Sequence, residues 1–218
     1  MTKHTLHGYS PDPALWGVND VVHAIKKEIR NRPPGRDEND VWAIVAPRLL
    51  LDLSKFGLRD GVLTKLVGPI WSRSNYPFVA LTKDGWRDLF HRARYTEGHT
   101  GKPFWRAGRP RKTQTLYRAS LPEFADNFSW STNLDLVRYW FVQQYSKEPG
   151  ARIYTADVAP ERYLCRVLDP EECVVETDGL EIREFEDGAT ARSLHRRTAN
   201  PIGAAHAYRE LTPREGGA

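Results

Sequence analysis

The sequence has few of the residues that form disulfides or bind structural metals. Its 218 residues include two cysteines, Cys165 and Cys173, and seven scattered histidines. Each cysteine stands beside apolar residues, so we expect both to be reduced core side chains rather than a disulfide or a nucleophilic thiol. Because no Cys-x-x-Cys spacing occurs, we predict that the protein binds no metal.

The sequence also lacks long hydrophobic runs. No apolar run reaches the roughly 18 residues of a membrane-spanning helix, and residues 1–7 lack the apolar segment of a signal peptide. We therefore expect no membrane association and a cytoplasmic location. Hydrophobic residues form 40% of the chain, which is enough to bury the core of one domain, with or without an added helical region.

Basic residues are unevenly distributed, although the formal net charge is only +4. Two clusters of them flank the region between residues 113 and 191. Such clusters attract the phosphates of nucleic acids or dinucleotides, but they also occur on solvated surfaces and in flexible linkers, and the sequence leaves these alternatives open. The clusters consist of Arg106, Arg109, Arg111 and Lys112, and of Arg192, His195, Arg196 and Arg197.

Apolar residues recur at helical spacing in the first half of the chain. The predicted helices are Val18–Arg30, Asp40–Leu53 with an interruption at Pro47, Leu58–Trp71, and a helix capped by Thr82 that directs Trp86, Leu89 and Phe90 to the core. A stretch rich in glycine, proline and basic residues follows at 97–113, and this composition predicts a linker.

Beyond residue 113 the pattern changes to the alternation typical of strands, which predicts an α+β fold. The predicted strands are Thr115–Ala119, Phe128–Thr132, Arg152–Val158, Cys173–Glu176 and Leu180–Phe185. One helix is predicted over Asn133–Tyr145, and a helical turn from Pro160 through Leu164. We expect three regions, namely a mainly helical region with its basic linker (1–113), a core (114–188) and a basic, partly loose tail (189–218).

Three of the predicted strands carry an arginine, a pair of serines and a glutamate in a distinctive order. Arg118 ends the triplet Leu116-Tyr117-Arg118, the serines lie in Ser129-Trp130-Ser131-Thr132, and Glu172 precedes an apolar run. This order, over residues 115–186, resembles the arginine-serine-glutamate class of ADP-ribosyltransferases, including small transferase-like proteins of phages and bacterial conflict systems. The resemblance implies an ADP-ribosyltransferase-like sheet that is split and mainly antiparallel, with NAD as the substrate.

The resemblance also implies a role for each motif residue. Cleaving the bond between nicotinamide and ribose leaves positive charge on the sugar, which a carboxylate at Glu172 would stabilise. Arg118 would bind the diphosphate, and a serine hydroxyl, first Ser129 and second Ser131, would orient the carboxylate. An aromatic ring would stack on the nicotinamide. The candidate rings are Trp130, Tyr139 and Trp140, and the sequence does not choose among them.

Each motif residue has an ordinary structural explanation as well. Arg118 fits a strand-end ion pair, and Glu172 fits a surface acid. Ser129 and Ser131 fit caps of the helix that is predicted to begin near Asn133. Because all three residue types occur in the order of the family and in strand contexts, we favour the catalytic interpretation.

One position departs from the resemblance. Many relatives that modify arginine or guanine carry a glutamate or glutamine two positions before the catalytic glutamate, whereas this chain has Pro170 there. The adjacent Glu171 should point to the opposite face of its strand. This departure leaves the acceptor undetermined. We expect a mono-ADP-ribosyltransferase that acts on a macromolecular acceptor, protein or nucleic acid, and the alternative is an NAD glycohydrolase. A third alternative is a noncatalytic protein that binds nucleic acid or another partner, although no known nucleic-acid-binding signature supports it.

Overall fold

The computed structural model describes residues 12–31, 37–74, 77–98, 108–145, 147–168 and 171–186. The chain divides into two compact units, and in this described part the first ends at Thr96 and the second begins at Glu97. Helices form the first unit and two mainly antiparallel sheets form most of the second, which confirms the predicted α+β class. Arg106, the second basic cluster and the predicted tail 189–218 lie outside the described residues.

Five helices form the described part of the first unit. They are α1 (Val18–Arg30), α2 (Glu38–Lys55), α3 (Asp60–Ser72), α4 (Pro77–Ala80) and α5 (Lys83–Ala93). The predicted interruption of α2 at Pro47 is wrong, because the helix continues through this residue. Proline removes one hydrogen bond within a helix. Ala46 and Leu50 are fully buried beside it, so tertiary packing holds the helix together.

The core of the first unit is built around three fully buried aromatic rings. The ring centroid of Trp71 lies 4.9 Å from that of Trp86 and 5.4 Å from that of Phe90, in edge-on arrangements. The predicted cap is confirmed, since Thr82 accepts a hydrogen bond from the Gly85 amide at 3.2 Å. The cap fixes the start of α5, and the predicted core positions on that helix are buried as expected.

Arg94, directly after α5, has a backbone conformation that suits glycine. Its φ is 58° and its ψ is -148°, a combination that costs a residue with a Cβ about 1–3 kcal/mol. We expect Arg94→Gly to raise the free energy of unfolding by about 1 kcal/mol, after the entropy cost of glycine is subtracted. Urea unfolding measures the change. Gly57, with φ of 96°, provides the opposite control, since Gly57→Ala should destabilise. A destabilised Arg94→Gly protein would contradict this account.

The second unit contains two sheets. Their strands are β1 (Thr96–Gly98), β2 (Gln114–Ser120), β3 (Ser129–Trp130), β4 (Arg152–Val158), β5 (Tyr163–Leu168), β6 (Glu171–Val175) and β7 (Arg183–Glu184). The first sheet has the order β1-β5-β6-β3, and the second has the order β2-β4-β7. The helix α6 (Leu134–Tyr145) packs against β2 and β4.

Three predicted segments of the second unit differ from the structure. The strand predicted over Phe128–Thr132 is present only as β3. The helical turn predicted from Pro160 through Leu164 ends at Arg162, and β5 begins at the next residue. The strand predicted over Leu180–Phe185 is present only as β7. β5 pairs with β6, the next strand along the chain, and this pairing outweighs the helix-start signal at Pro160. No helix in the described ranges is long and apolar enough to cross a membrane.

Candidate active site

A backbone bridge between Tyr117 of β2 and Ser131, directly after β3, joins the two sheets of the second unit. Tyr117 N donates to Ser131 O at 2.8 Å, and Ser131 N donates to Tyr117 O at 2.9 Å. On its other side, β3 pairs with β6. The bridge therefore brings β2, β3 and β6 together as neighbours. These are the strands that carry Arg118, the serine pair and Glu172.

The register of β3 and β6 places Ser131 beside Glu172. Ser129 is opposite Val174 and Trp130 is opposite Cys173, so the same register continues to Ser131 opposite Glu172. The next pair in this register, Thr132 and Glu171, is joined by a hydrogen bond of 2.5 Å between Oγ1 and Oε1. Directly opposite residues on antiparallel strands project to the same face. Ser131, more than Ser129, is thus the serine adjacent to the predicted catalytic carboxylate.

Glu172 lies in the interior of the protein. It is 1% exposed, and its face of β6 and β5 also carries Val167 and Val174. A surface acid is therefore excluded as the explanation of this glutamate. Burying a carboxylate is costly unless other groups compensate it, which makes Glu172 a functional candidate on physical grounds.

Arg118 is also buried, at 6% exposure. Its Nε donates to Phe124 O at 3.0 Å, and its Nη1 donates to Ser129 O at 2.7 Å. These two hydrogen bonds hold the segment that leads into β3 in place, beside the bridge that joins the two sheets. Because successive residues of a strand alternate in direction, Arg118 leaves β2 on the face opposite to Tyr117 and Ser131.

The serine pair is divided between two environments. Ser131 is fully buried, and its Oγ accepts from Asn133 N at 3.0 Å. Ser129 is half-buried beside Val174. The side chain of Asn133 accepts from Leu136 N at 3.1 Å and so caps α6. Ser131 supports this turn, which is one of the structural explanations that the sequence left open.

The three predicted stacking rings differ in accessibility. Trp130 is 1% exposed, and its Nε1 donates to Asn127 O at 2.8 Å, so its ring is part of the core. It also projects with Cys173, away from the face of Glu172. Tyr139 and Trp140 are half-buried on α6. The structure therefore does not bring these three rings together around Glu172.

Glu171 occupies the opposite face from Glu172, as predicted, and is already engaged. Its Oε1 accepts from Thr132 and also from Arg166 Nη2, at 3.3 Å. The Arg166–Glu171 ion pair is mostly shielded from solvent. Pro170, the departure from the resemblance, lies outside the described residues. The carboxylate directly before Glu172 is therefore held by its neighbours and is not directed toward an acceptor.

Both cysteines are free and buried, as predicted. Burial raises the pKa of Cys173 from about 9 to about 12, and Arg166 partly opposes the rise. Between pH 9 and pH 12 the unfolded chain loses a proton that the folded protein keeps. We therefore expect the free energy of unfolding to fall by about 1.4 kcal/mol per pH unit over this range, and not below it. Urea unfolding at pH 8 to 11 measures this slope, and Cys173→Ala should remove its contribution. An equal slope in both proteins would contradict the assignment.

The described part of the first basic cluster lies immediately before β2. Arg109, Arg111 and Lys112 are exposed there. The residue of β2 that pairs with Ser131 is Tyr117, which stands next to Arg118 in the sequence. The sequence did not indicate this pairing, because it depends on the register of β2. Comparison of the chain with protein-family models, curated proteins and solved structures found no match.

Proposed function

We propose that the protein is an NAD-dependent mono-ADP-ribosyltransferase with an ADP-ribosyltransferase-like fold. The observation that carries this proposal is the adjacency of β2, β3 and β6, which places an arginine, a serine and a buried glutamate on three neighbouring strands. The order of these residues along the sequence suggested the arrangement. The strand pairing supports the adjacency of Ser131 and Glu172, whereas Arg118 leaves β2 on the opposite face. A fold alone does not determine which ligand a protein binds, so the recognition of NAD must come from the residues of the site.

In this proposal Glu172 is the catalytic residue. The bond between the nicotinamide nitrogen and the ribose breaks with its electron pair passing to nicotinamide, and positive charge develops on the sugar. A carboxylate in a buried site stabilises that charge more strongly than one in water. Ser131, opposite Glu172 in the register, is placed to orient the carboxylate through its hydroxyl.

Arg118 has two contributions in the proposal. Its guanidinium donates hydrogen bonds to the backbone carbonyls of Phe124 and Ser129, which fixes the strand that leads to Ser131. The contact of its guanidinium with the diphosphate of NAD stays a prediction, as does stacking of nicotinamide on Trp130, Tyr139 or Trp140. The exposed Arg109, Arg111 and Lys112 offer positive charge for a phosphate-bearing acceptor.

The alternative product is free ADP-ribose. Glu171 is held by Thr132 and Arg166, so no described carboxylate beside Glu172 is directed to activate a macromolecular nucleophile. If water takes the place of that nucleophile, the protein is an NAD glycohydrolase. This observation is the specific reason to keep hydrolysis as the second candidate function.

Incubation with NAD labelled in its adenylate part tests the proposal. We expect nicotinamide release from the purified protein, and transfer of label to macromolecules when cell lysate is added. Nuclease and protease treatment then assign the label to nucleic acid or protein. Label found only in free ADP-ribose would favour the glycohydrolase. The absence of nicotinamide release, with and without lysate, would favour the noncatalytic alternative.

A further inference from the structure

One face of the second sheet is largely open to solvent. Along β2 and β4, the opposite face carries core residues, and Leu116, Ala156 and Val158 on it are fully buried. Successive strand residues project to opposite sides, so the residues between these core positions form the other face, which we call the open face. Its exposed or half-buried members are Thr115, Tyr117, Thr155, Asp157, Arg183 and Phe185.

The open face ends where the second sheet meets β3. Tyr117 is bridged to Ser131, and Ser131 is fully buried, so the surface is covered from that point toward Glu172. The accessible part lies over β2, β4 and β7, on the other side of Tyr117 from Ser131. A ligand on the open face therefore does not approach Glu172.

Two aromatic rings stand on this mainly polar surface. The ring centroids of Tyr117 and Phe185 are 5.3 Å apart with an interplanar angle of 78°. The Phe185 amide donates to Ile153 O at 2.8 Å, which holds Phe185 beside β4. Both rings are half-buried, so each keeps some exposed surface. Because the solvent face of an antiparallel sheet is normally polar, a fixed pair of rings there is typical of a surface that binds flat groups.

Positive charge lies at the start of β2. Arg111 and Lys112 are exposed, and Lys112 stands two residues before Gln114, where β2 begins. A chain residue spans at most about 3.6 Å, so the Cα atom of Lys112 lies within about 11 Å of that of Thr115 on the open face. These side chains therefore provide charge for phosphate groups next to the rings.

The carboxylates of the open face are already paired. Asp157 Oδ2 lies 3.0 Å from Arg183 Nη2, and Asp157 Oδ1 accepts from Thr115 Oγ1 at 2.7 Å. Glu181 Oε1 lies 3.9 Å from Arg183 Nε. A single arginine offsets these two carboxylates only in part, so the margin near β7 does not attract phosphate. We therefore expect phosphate contacts at the start of β2 and not along β7.

We propose that the open face binds single-stranded nucleic acid, with bases stacked on Tyr117 and Phe185 and phosphates bound by Arg111 and Lys112. Aromatic rings on a sheet, with basic residues beside them, suit this ligand because every unpaired base has a flat face and every nucleotide a phosphate. Bases within a duplex are stacked on each other and do not offer these faces. The inference does not rest on the proposed function, because this binding requires no NAD.

Oligonucleotide binding in the absence of NAD tests the proposal. Fluorescence anisotropy gives the affinity for a labelled single strand of about 12 nucleotides, as DNA and as RNA, and for the corresponding duplex. We expect at least one single strand to bind about tenfold more tightly than the duplex. Tyr117→Leu removes the ring and keeps apolar volume, and it should weaken single-strand binding about tenfold. Phe185→Leu should weaken it by a smaller factor.

Salt dependence separates the phosphate contacts from the stacking contacts. For a single strand, each phosphate contact contributes about 0.7 to the slope of log affinity against log salt concentration. Arg111→Gln and Lys112→Gln should therefore each reduce the magnitude of this slope by about 0.7, whereas Tyr117→Leu should leave the slope unchanged. Because Arg111 and Lys112 are exposed, these two substitutions test the proposal without disturbing the core.

Tyr154→Leu and Lys147→Gln are the matched controls. Tyr154 is a half-buried tyrosine of the same sheet, opposite Arg118 and therefore on the buried face. Lys147 is an exposed lysine between α6 and β4, and β4 begins opposite Ser120, at the other end of β2 from Lys112. We expect both variants to keep the wild-type affinity, and thermal unfolding shows that each variant is folded.

Several results would overturn the proposal. They are a wild type that binds neither single strand, a duplex that binds as tightly as the single strands, a folded Tyr117→Leu protein with wild-type affinity, and an equal loss in Tyr154→Leu. An unchanged salt slope in both Arg111→Gln and Lys112→Gln would also contradict it. None of these results depends on nicotinamide release, so failure of the open face and failure of the proposed function are distinguishable.

Discussion

Replacing Glu172 with glutamine should reduce nicotinamide release about 100- to 1,000-fold while leaving NAD affinity nearly unchanged. The reason is that the substitution keeps the size of the side chain and removes its negative charge. That charge interacts with the ribose mainly when positive charge develops in the transition state. Measuring NAD affinity by titration and nicotinamide release by chromatography, on the same protein preparation, separates the two effects.

Glu171→Gln is the control for this experiment. Glu171 is adjacent in sequence, has the same charge and lies on the opposite face of β6, where it is held by Thr132 and Arg166. We expect it to release nicotinamide at close to the wild-type rate. Unchanged release in Glu172→Gln would remove Glu172 from the catalytic role. A similar loss in both variants would point to general damage to β6 instead.

Local pattern was sufficient to predict most elements of the fold. Alternation over Arg152–Val158 and helical spacing over Val18–Arg30 correspond to observed elements with the predicted bounds. The outcomes at Pro47 and β5 were not predicted, because each depends on packing or pairing that overrides a local proline signal. The tertiary packing of α2 offsets the hydrogen bond lost at Pro47. Pairing with β6 converts a segment with a helix-start signal into a strand.

The candidate site was predictable to a similar extent. The order of Arg118, the serines and Glu172 along the chain was enough to expect neighbouring strands, but not the face of each side chain, because Arg118 leaves β2 on the face opposite to Ser131 and Glu172. It was not enough to choose between Ser129 and Ser131. These serines share a face of their strand, so the choice depends on the register of β3 and β6, which places Ser129 opposite Val174 and continues to Ser131 opposite Glu172. That pairing joins segments far apart in the chain, which no short sequence window contains.

Replacing Arg118 with alanine should lower the free energy of unfolding by about 3–5 kcal/mol. Arg118 is 6% exposed, and its guanidinium donates to two backbone carbonyls, Phe124 O and Ser129 O. Removing it leaves both oxygens without a charged donor at the point where the sheets separate. Urea unfolding measures the loss, and hydrogen exchange should show faster exchange of the β3 amides than in the wild type.

Arg152→Ala controls for the loss of an arginine from the same sheet. Arg152 also donates to backbone carbonyls, those of Pro149 and Ala151, but its side chain is 44% exposed and its ion pair with Glu184 lies at the surface. We expect Arg152→Ala to lower the free energy of unfolding by less than about 1 kcal/mol, because solvent replaces exposed hydrogen bonds and screens exposed ion pairs.

NAD affinity, measured under conditions in which Arg118→Ala remains folded, then distinguishes the two contributions of Arg118. Weakened NAD binding would support a diphosphate contact, whereas wild-type binding by the folded variant would restrict Arg118 to holding β3. Equal stability of Arg118→Ala and the wild type would refute the structural contribution itself.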